Sequence, residues 1–334
     1  MDIYTEATSE LTEQTRNLGV NLADERIGAK ALSCSDDFFA SAQRMLNHLP
    51  ARFYPERYDD NGKWMDGWES RRRRDNGHDW CIVELGVAGI INAIQVDTHF
   101  FTGNFAPAVK VQGANGDQPP AADSDQWQPV LATHSLSGNS EQLFEVSSEQ
   151  QFRFLKVSIF PDGGISRLKV FGKPCVSHTP GQQIDLIALQ NGGQGLAYND
   201  SHYGHPNNLL SPGDAANMGD GWETRRRREP GNDWCIIALG QKGIAEAIEV
   251  YTTHFKGNFP PEVSIQAACL EHSDIDLVPQ SLYWQELLPK QALAADGQFR
   301  FEELASLGPI THLKINIYPD GGLARVRLWG QPEA

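Results

Sequence analysis

The sequence predicts an all-β protein made of two tandem jelly-roll β-sandwich domains that arose by internal duplication. Three observations carry this. One long segment of the chain occurs twice, and apolar residues within each copy recur with a period of two. The short apolar runs are punctuated by 31 glycines and 19 prolines in 334 residues.

The duplication is explicit. Asp66-Gly-Trp-Glu-Ser-Arg-Arg-Arg-Arg74 returns as Asp220-Gly-Trp-Glu-Thr-Arg-Arg-Arg-Arg228. With the shift of 154 held, residues 66–107 and 220–261 agree at 26 of 42 positions, where chance gives roughly two or three. Ile159-Phe-Pro-Asp-Gly-Gly164 matches Ile317-Tyr-Pro-Asp-Gly-Gly322, and Ser35-Asp-Asp-Phe-Phe39 weakly matches Asn199-Asp-Ser-His-Tyr203. The offset drifts from 164 near the start of each copy to 158 near its end, so loop lengths change while the framework persists. Copy one alone carries an additional segment around Ala51–Tyr58. Each copy has the size of a domain. The expected division is 1–178, with a short N-terminal extension, and 179–334, joined through the breaker-rich stretch 172–183.

Within each copy the alternation defines strands. Cys81, Val83 and Leu85 point one way and Trp80, Ile82 and Glu84 the other, and Cys235, Ile237 and Leu239 repeat the pattern. Ile94 and Val96 alternate with Gln95 and Asp97, which points Asp97 towards solvent or a cleft. Leu155, Val157 and Ile159 form a further strand, matched by Leu313, Ile315 and Ile317. Asp36–Leu46 is the best candidate for a short helix. Cys81 and Cys235 read as small core residues.

Composition excludes several classes. Lys and Arg total 28 against 43 Asp and Glu, a net charge of −15, which repels polyanions and argues against a nucleic-acid partner. No apolar run approaches the ~20 residues of a membrane span, and the acidic, polar start lacks the pattern of a secretory leader. The cysteines are five in number and form no CxxC pair, so neither a disulfide framework nor a zinc knuckle is expected, and a reducing, cytoplasmic compartment is.

A sandwich core needs apolar residues and turns, so polar residues present in both copies are the informative ones. Glu69 with Arg71 and Arg72 is matched by Glu223 with Arg225 and Arg226. Four successive arginines on a strand alternate between its faces. They read either as a charged edge strand that blocks pairing or as a guanidinium clamp for a small carboxylate. The second group is Asp97-Thr-His-Phe-Phe-Thr-Gly-Asn104, matched by Tyr251-Thr-Thr-His-Phe-Lys-Gly-Asn258. Here His99 aligns with Thr253 and His254 with Phe100, so the histidines are displaced by one residue and the copies differ in duty. The third group, Pro161-Asp-Gly-Gly164 and Pro319-Asp-Gly-Gly322, reads as turns in which Asp bonds to its own backbone. Asp79 and Asp233 read likewise. Among motifs of established chemistry, no GxSxG, HExxH or phosphate-binding loop is present. His202 and His205 are too isolated to indicate a metal.

The DGWE-S/T-RRRR blocks, the DWCI strands that follow them, the HF-x-GN-x-x-P segments and the two PDGG turns together resemble the allantoicase family, over about residues 20–330. The DGW turn before a Trp-x-Ile-x-x-Leu-Gly strand is also similar to galactose-binding-like sandwiches. The allantoicase resemblance implies two related jelly rolls, a homo-oligomer, and hydrolysis of allantoate to ureidoglycolate and urea in purine degradation. It implies that Arg71, Arg72, Arg225 and Arg226 hold the substrate carboxylate and that Asn104 and Asn258 meet its ureido groups. Glu69, Glu223, His99 and His254 are then the candidates for moving protons. No cofactor is evident, and a divalent metal stays open. The competing class is a tandem module that binds a ligand without catalysis.

Overall fold

In the first copy the strand Asp79–Asp97 is 19 residues long and serves both layers of a sandwich. Its first half lies between Lys30–Cys34 and Gln151–Phe160, and its second half between Glu141–Glu145 and Arg167–Pro174. Ala108–Ala114 and Gln128–Ser135 extend the first layer beyond Gln151–Phe160, and Val20–Asn21 borders the second. Every pairing is antiparallel. The second copy repeats this around Asp233–Tyr251, flanked by Gln194–Tyr198 and Ile310–Tyr318 in one half and by Gln298–Phe301 and Arg325–Pro332 in the other. Two jelly-roll sandwiches result, as expected. This computed structural model describes residues 3–15, 17–179, 181–270 and 276–333. The chain divides into the units Met1–Val176 and Ser177–Ala334.

One strand can line one core through both layers only if its side-chain phase changes midway. Cys81, Val83, Leu85 and Ile91 are odd-numbered core residues, whereas Ile94 and Val96 are even. The switch occurs where Ala93 faces Phe171 and Ile91 faces Gly172, leaving Asn92 as an extra residue in a β-bulge. The second copy bulges at Glu246, between the pairs Ala245–Gly330 and Ala247–Trp329, and there Cys235 and Ile237 hand over to Ile248 and Val250. Both cysteines are fully buried in the apolar core. Side chains buried this way contribute ~1.5–3 kcal/mol each.

The segment Asp36–Leu46 forms only a short 3-10 turn, Ala42–Leu46. Asp36 bends the chain instead: its carboxylate accepts from Phe38 N, and its carbonyl accepts from Trp68 Nε1 at 2.9 Å. No helix among the described residues is long and apolar enough to cross a membrane. The additional segment of copy one forms two small pairings, Arg52–Phe53 with Thr5–Glu6 and Tyr58–Asp59 with Gly62–Lys63.

Candidate active site

The repeated polar residues gather at one end of each sandwich, where the DGW turn, the GN loop and the PDGG turn meet. The DGW turn is anchored from below. Arg167 and Arg325 are each 2% exposed and pair with Asp66 at 2.6 Å and Asp220 at 2.7 Å. Their remaining N–H groups donate to backbone carbonyls of the loops above, among them Leu49, Pro50 and Asp66 in copy one. These two arginines recur at matched strand positions, which is the sequence signal that could have identified them.

The PDGG turns close over this base. Gly163 and Gly321 adopt φ of 126° and 134°, which favours glycine. A Cβ on Gly164 or Gly322 would strike the ring of Phe101 or Phe255. Asp162 and Asp320 do not bond to their own turns: each carboxylate accepts from the arginine block, at Arg73 N (2.8 Å) and Arg227 N (2.9 Å). Asp79 and Asp233 are likewise not turn formers. They lie buried and pair with Arg73 and Arg227 at 2.7 and 2.6 Å.

The arginine blocks are irregular extended segments rather than edge strands, because side-chain carboxylates take the place of ladder partners. Asp36 accepts from Arg71 N at 2.9 Å, and Asp200 accepts from Arg225 N at 2.6 Å. Burial pushes Asp36's carboxyl up, but the Arg71 and Phe38 hydrogen bonds prevail and hold it below its usual range. Partners, not alternation, then sort the guanidinium groups. Arg73 and Arg227 turn inward onto Asp79 and Asp233, whereas Arg71 and Arg225, two residues earlier, remain 61% and 64% exposed. Arg72 and Arg226 are exposed, with no hydrogen bond or ion pair among the described residues. Arg71 also lies over the Phe38 ring at 4.9 Å.

Glu69 and Glu223 enter the same end one step before the arginines. Asn104 Nδ2 donates to Glu69 Oε1 at 2.7 Å, and Asn258 Nδ2 donates to Glu223 Oε1 at 2.5 Å. Burial pushes Glu69's carboxyl up against the opposing Asn104 bond. The carboxamide's remaining oxygen, and the second carboxylate oxygen, are then available to a ligand.

The histidines stand apart from these pairs. His99 Nδ1 lies 2.7 Å from Asp97 Oδ1, a bond that raises its pKa. Asp97, expected to face solvent or a cleft, is instead buried, and its carboxylate also accepts from His99 N at 2.7 Å. His254 occupies the left-handed position that Phe100 occupies in copy one, with φ of 71° and 69°, and its Nε2 meets Ala215 O at 2.8 Å. Neither ring bonds to Glu69 or Glu223. Asp97, His99 and Glu141 offer ligand atoms within 4.8 Å of one another, a donor set suited to a divalent cation, although the direct His99–Asp97 bond satisfies two of them without one.

Fold and site together define a tandem jelly-roll protein with guanidinium, carboxylate and carboxamide groups at the loop end of each copy. A family model described as the allantoicase repeat matches residues 20–175 and again 184–333. A probable allantoicase of Acinetobacter baumannii (strain ACICU) is 50% identical over 321 residues, covering 94% of each chain. The probable allantoicase 1 of Burkholderia mallei is 49% identical over 316 residues, 93% of this chain and 94% of its own. The crystal structure of allantoicase from Saccharomyces cerevisiae superimposes with a TM-score of 0.81 at 31% identity, covering 98% of this chain and all of the other. The chain belongs to the allantoicase family.

Proposed function

We propose that the protein hydrolyses allantoate to ureidoglycolate and urea as a step of purine degradation, acting as a cytoplasmic homo-oligomer. The observation that carries this reading is the repeated constellation Glu69–Asn104–Arg71 and Glu223–Asn258–Arg225, in a chain half identical to probable allantoicases over nearly its whole length.

Allantoate is a carboxylate whose neighbouring carbon holds two ureido groups. Hydrolysis breaks one carbon–nitrogen bond, adds a proton to the departing urea nitrogen and places the hydroxyl of a water on that carbon. Asp36 holds Arg71 at its backbone N–H and through its guanidinium Nε at 2.7 Å, and Asp200 and Glu229 hold Arg225 in the same way, yet both side chains stay more than half exposed. With the exposed Arg72 and Arg226 they form the clamp for the carboxylate. Asn104 and Asn258 accept from ureido N–H groups through the oxygens left free by their bonds to glutamate. Glu69, whose carboxyl is raised by burial, is the first assignment for protonating the leaving urea, with Glu223 as its counterpart. His99 and His254 are the second pair of proton carriers in this reading. Positioned acid–base groups of this kind contribute ~10²–10⁴-fold in rate.

The test is urea release from allantoate by the pure protein, with and without added divalent metal. Release above the blank is expected; none in either condition would leave a binding module as the surviving class. The double variant Arg71→Ala/Arg225→Ala is expected to lose about 100-fold or more in turnover with an unchanged circular dichroism spectrum. Near-normal turnover would refute the clamp.

A further inference from the structure

The additional segment of copy one builds something the duplicated plan does not require. Beside its two short pairings, Arg52, Tyr54 and Trp64 border with residues of the turn Ala42–Leu46 an open cavity of about 300 Å³. Arg44, Arg52, Arg167, Glu25, Tyr54 and Trp64 line it, together with Gln43 and Asn47. In a chain with 43 acidic and 28 basic residues, this lining sets three arginines against Glu25 and Asp66, and Asp66 is already bound by Arg167 at 2.6 Å.

The cations are held for use at the wall. Arg44 donates through Nη1 to Met65 O at 2.9 Å, and its guanidinium carbon stands 4.9 Å from the centre of the Trp64 ring. Arg52 spends Nε on Glu6 at 2.7 Å, and its guanidinium packs over Tyr4 at 4.8 Å. Such stacking fixes a guanidinium plane without consuming its remaining donors. The floor is Arg167, almost wholly buried. In copy two the equivalent strand carries Arg327 where copy one has Lys169. Arg327 reaches down to Ser211 O at 2.6 Å and Gly213 O at 2.9 Å, beneath the shorter loop of that copy.

We propose that this cavity is a binding site for a small carboxylate that carries an amide or ureido group, separate from the Glu69–Arg71 cluster and present in copy one only. The carboxylate meets Arg44 and Arg52, the flat amide lies along Trp64 and Tyr54, and Glu25 and the Asn47 amide N–H supply partners for its N–H and C=O groups. The floor pair Arg167–Asp66 leads through Gly67 and Trp68 directly to Glu69, so an occupant also braces the turn that carries the catalytic carboxylate.

The probe is N-carbamoylglycine, a ureido carboxylate with no second ureido group to lose. Its binding to the full-length protein is measured by isothermal titration calorimetry, beside urea release from allantoate without the probe. In the Arg71→Ala/Arg225→Ala background, binding of one probe per chain is expected to persist. Adding Arg52→Gln there should weaken it about tenfold or more, the worth of one lost charge-assisted hydrogen bond. Trp64→Leu, which removes the flat wall and the ring on which Arg44 packs, should weaken binding as well. Loss of probe binding in the Arg71→Ala/Arg225→Ala background, or binding indifferent to both Arg52→Gln and Trp64→Leu, overturns the proposal. Neither result touches the urea assay, so the reading of the reaction stands or falls separately.

Discussion

The two copies have kept different parts of their common plan. Where copy one uses Asn21 to accept from Val170 N at 2.8 Å, copy two uses Asp185 to accept from Leu328 N at 3.0 Å. Copy one has Lys169 where copy two buries Arg327. The Asp97–His99–Glu141 cluster of copy one corresponds to a chain in copy two in which Tyr251 and Arg300 both bond to Glu249. Against these exchanges, Glu69, Asn104 and all four arginines return unchanged as Glu223, Asn258 and Arg225–Arg228. Several framework positions tolerate any side chain that makes the same hydrogen bond, and others keep a buried ion pair, as Arg167–Asp66 and Arg325–Asp220 do; the exposed Arg72 and Arg226 are kept with no such pair among the described residues to require them. That contrast is the physical case for reading the constellation as functional.

The sharpest way to break the comparison is to neutralise the paired carboxylates. Glu69→Gln/Glu223→Gln is expected to lower kcat by ~10²–10⁴-fold, measured as urea release, with Asn104 and Asn258 still able to donate to the new carboxamides. The single variants sharpen the result. If each keeps about half the rate, the copies work independently; if each alone removes it, one reaction needs both. A double variant near wild-type activity would end the assignment.

Next in size are the buried anchors. Arg167→Met and Arg325→Met each strand an aspartate and several carbonyls that the guanidinium now satisfies. Breaking such a pair from one side costs ~3–5 kcal/mol. Chemical denaturation should show a loss of that size in both variants. A loss in only one would mean that the two DGW turns are not held alike.

Much of the fold was legible because a period of two and an internal repeat are both properties of sequence alone. What was not legible is mostly long-range. That Asp79–Asp97 is one strand was hidden by the bulge at Asn92, which changes the side-chain phase halfway along. The arginine blocks looked like strands, but the carboxylates that replace their ladder partners, Asp36 and Asp162, lie 35 and 89 residues away. Within the candidate site, Glu69, Arg71 and Asn104 were visible as repeated polar residues. Arg167 and Asp36 were not singled out, since one sits in an apolar strand and the other in a weakly matched loop. Asp97 is buried with its carboxylate turned onto His99, two residues along the chain, a local bond that strand alternation does not show.

A smaller effect separates Asn21 from Asp185. Burial pushes the Asp185 carboxyl up from 3.8 to about 6, against the opposing Leu328 and Arg327 interactions. The folded state therefore holds this proton more tightly than the unfolded chain does. The stability linked to it is complete below about pH 4 and is lost as pH rises through about 6. Arg327 Nε stands 3.6 Å from that carboxylate, an attraction the raised value already includes, and Leu209, Ser211 and Gly213 carbonyls accept its hydrogen bonds whether or not the charge is there. Asp185→Asn, which installs the residue type of copy one, is expected to match wild type near pH 4 and to exceed it by about 1–3 kcal/mol at pH 8. Denaturation curves at the two pH values check this. Equal stability differences at both would show that the carboxyl is not raised.

The smallest expected effect tests whether the framework residues are interchangeable. Ser35 Oγ donates to Asp79 Oδ1 at 2.8 Å and accepts from Trp80 N at 2.9 Å. Asn199 does both with its two side-chain atoms, donating to Asp233 at 2.7 Å and accepting from Trp234 N at 2.7 Å. Ser35→Asn should therefore change stability by less than about 1 kcal/mol, since both partners of the original hydroxyl can still be met. Ser35→Ala leaves the buried Asp79 carboxylate with Arg73 alone, strands the Trp80 N–H and should cost about 1–3 kcal/mol. Thermal melts of the pair separate the two cases. If Asn proves as damaging as Ala at position 35, the two loops differ in backbone as well as side chain, and equivalence of hydrogen bonding no longer explains why the copies diverged there.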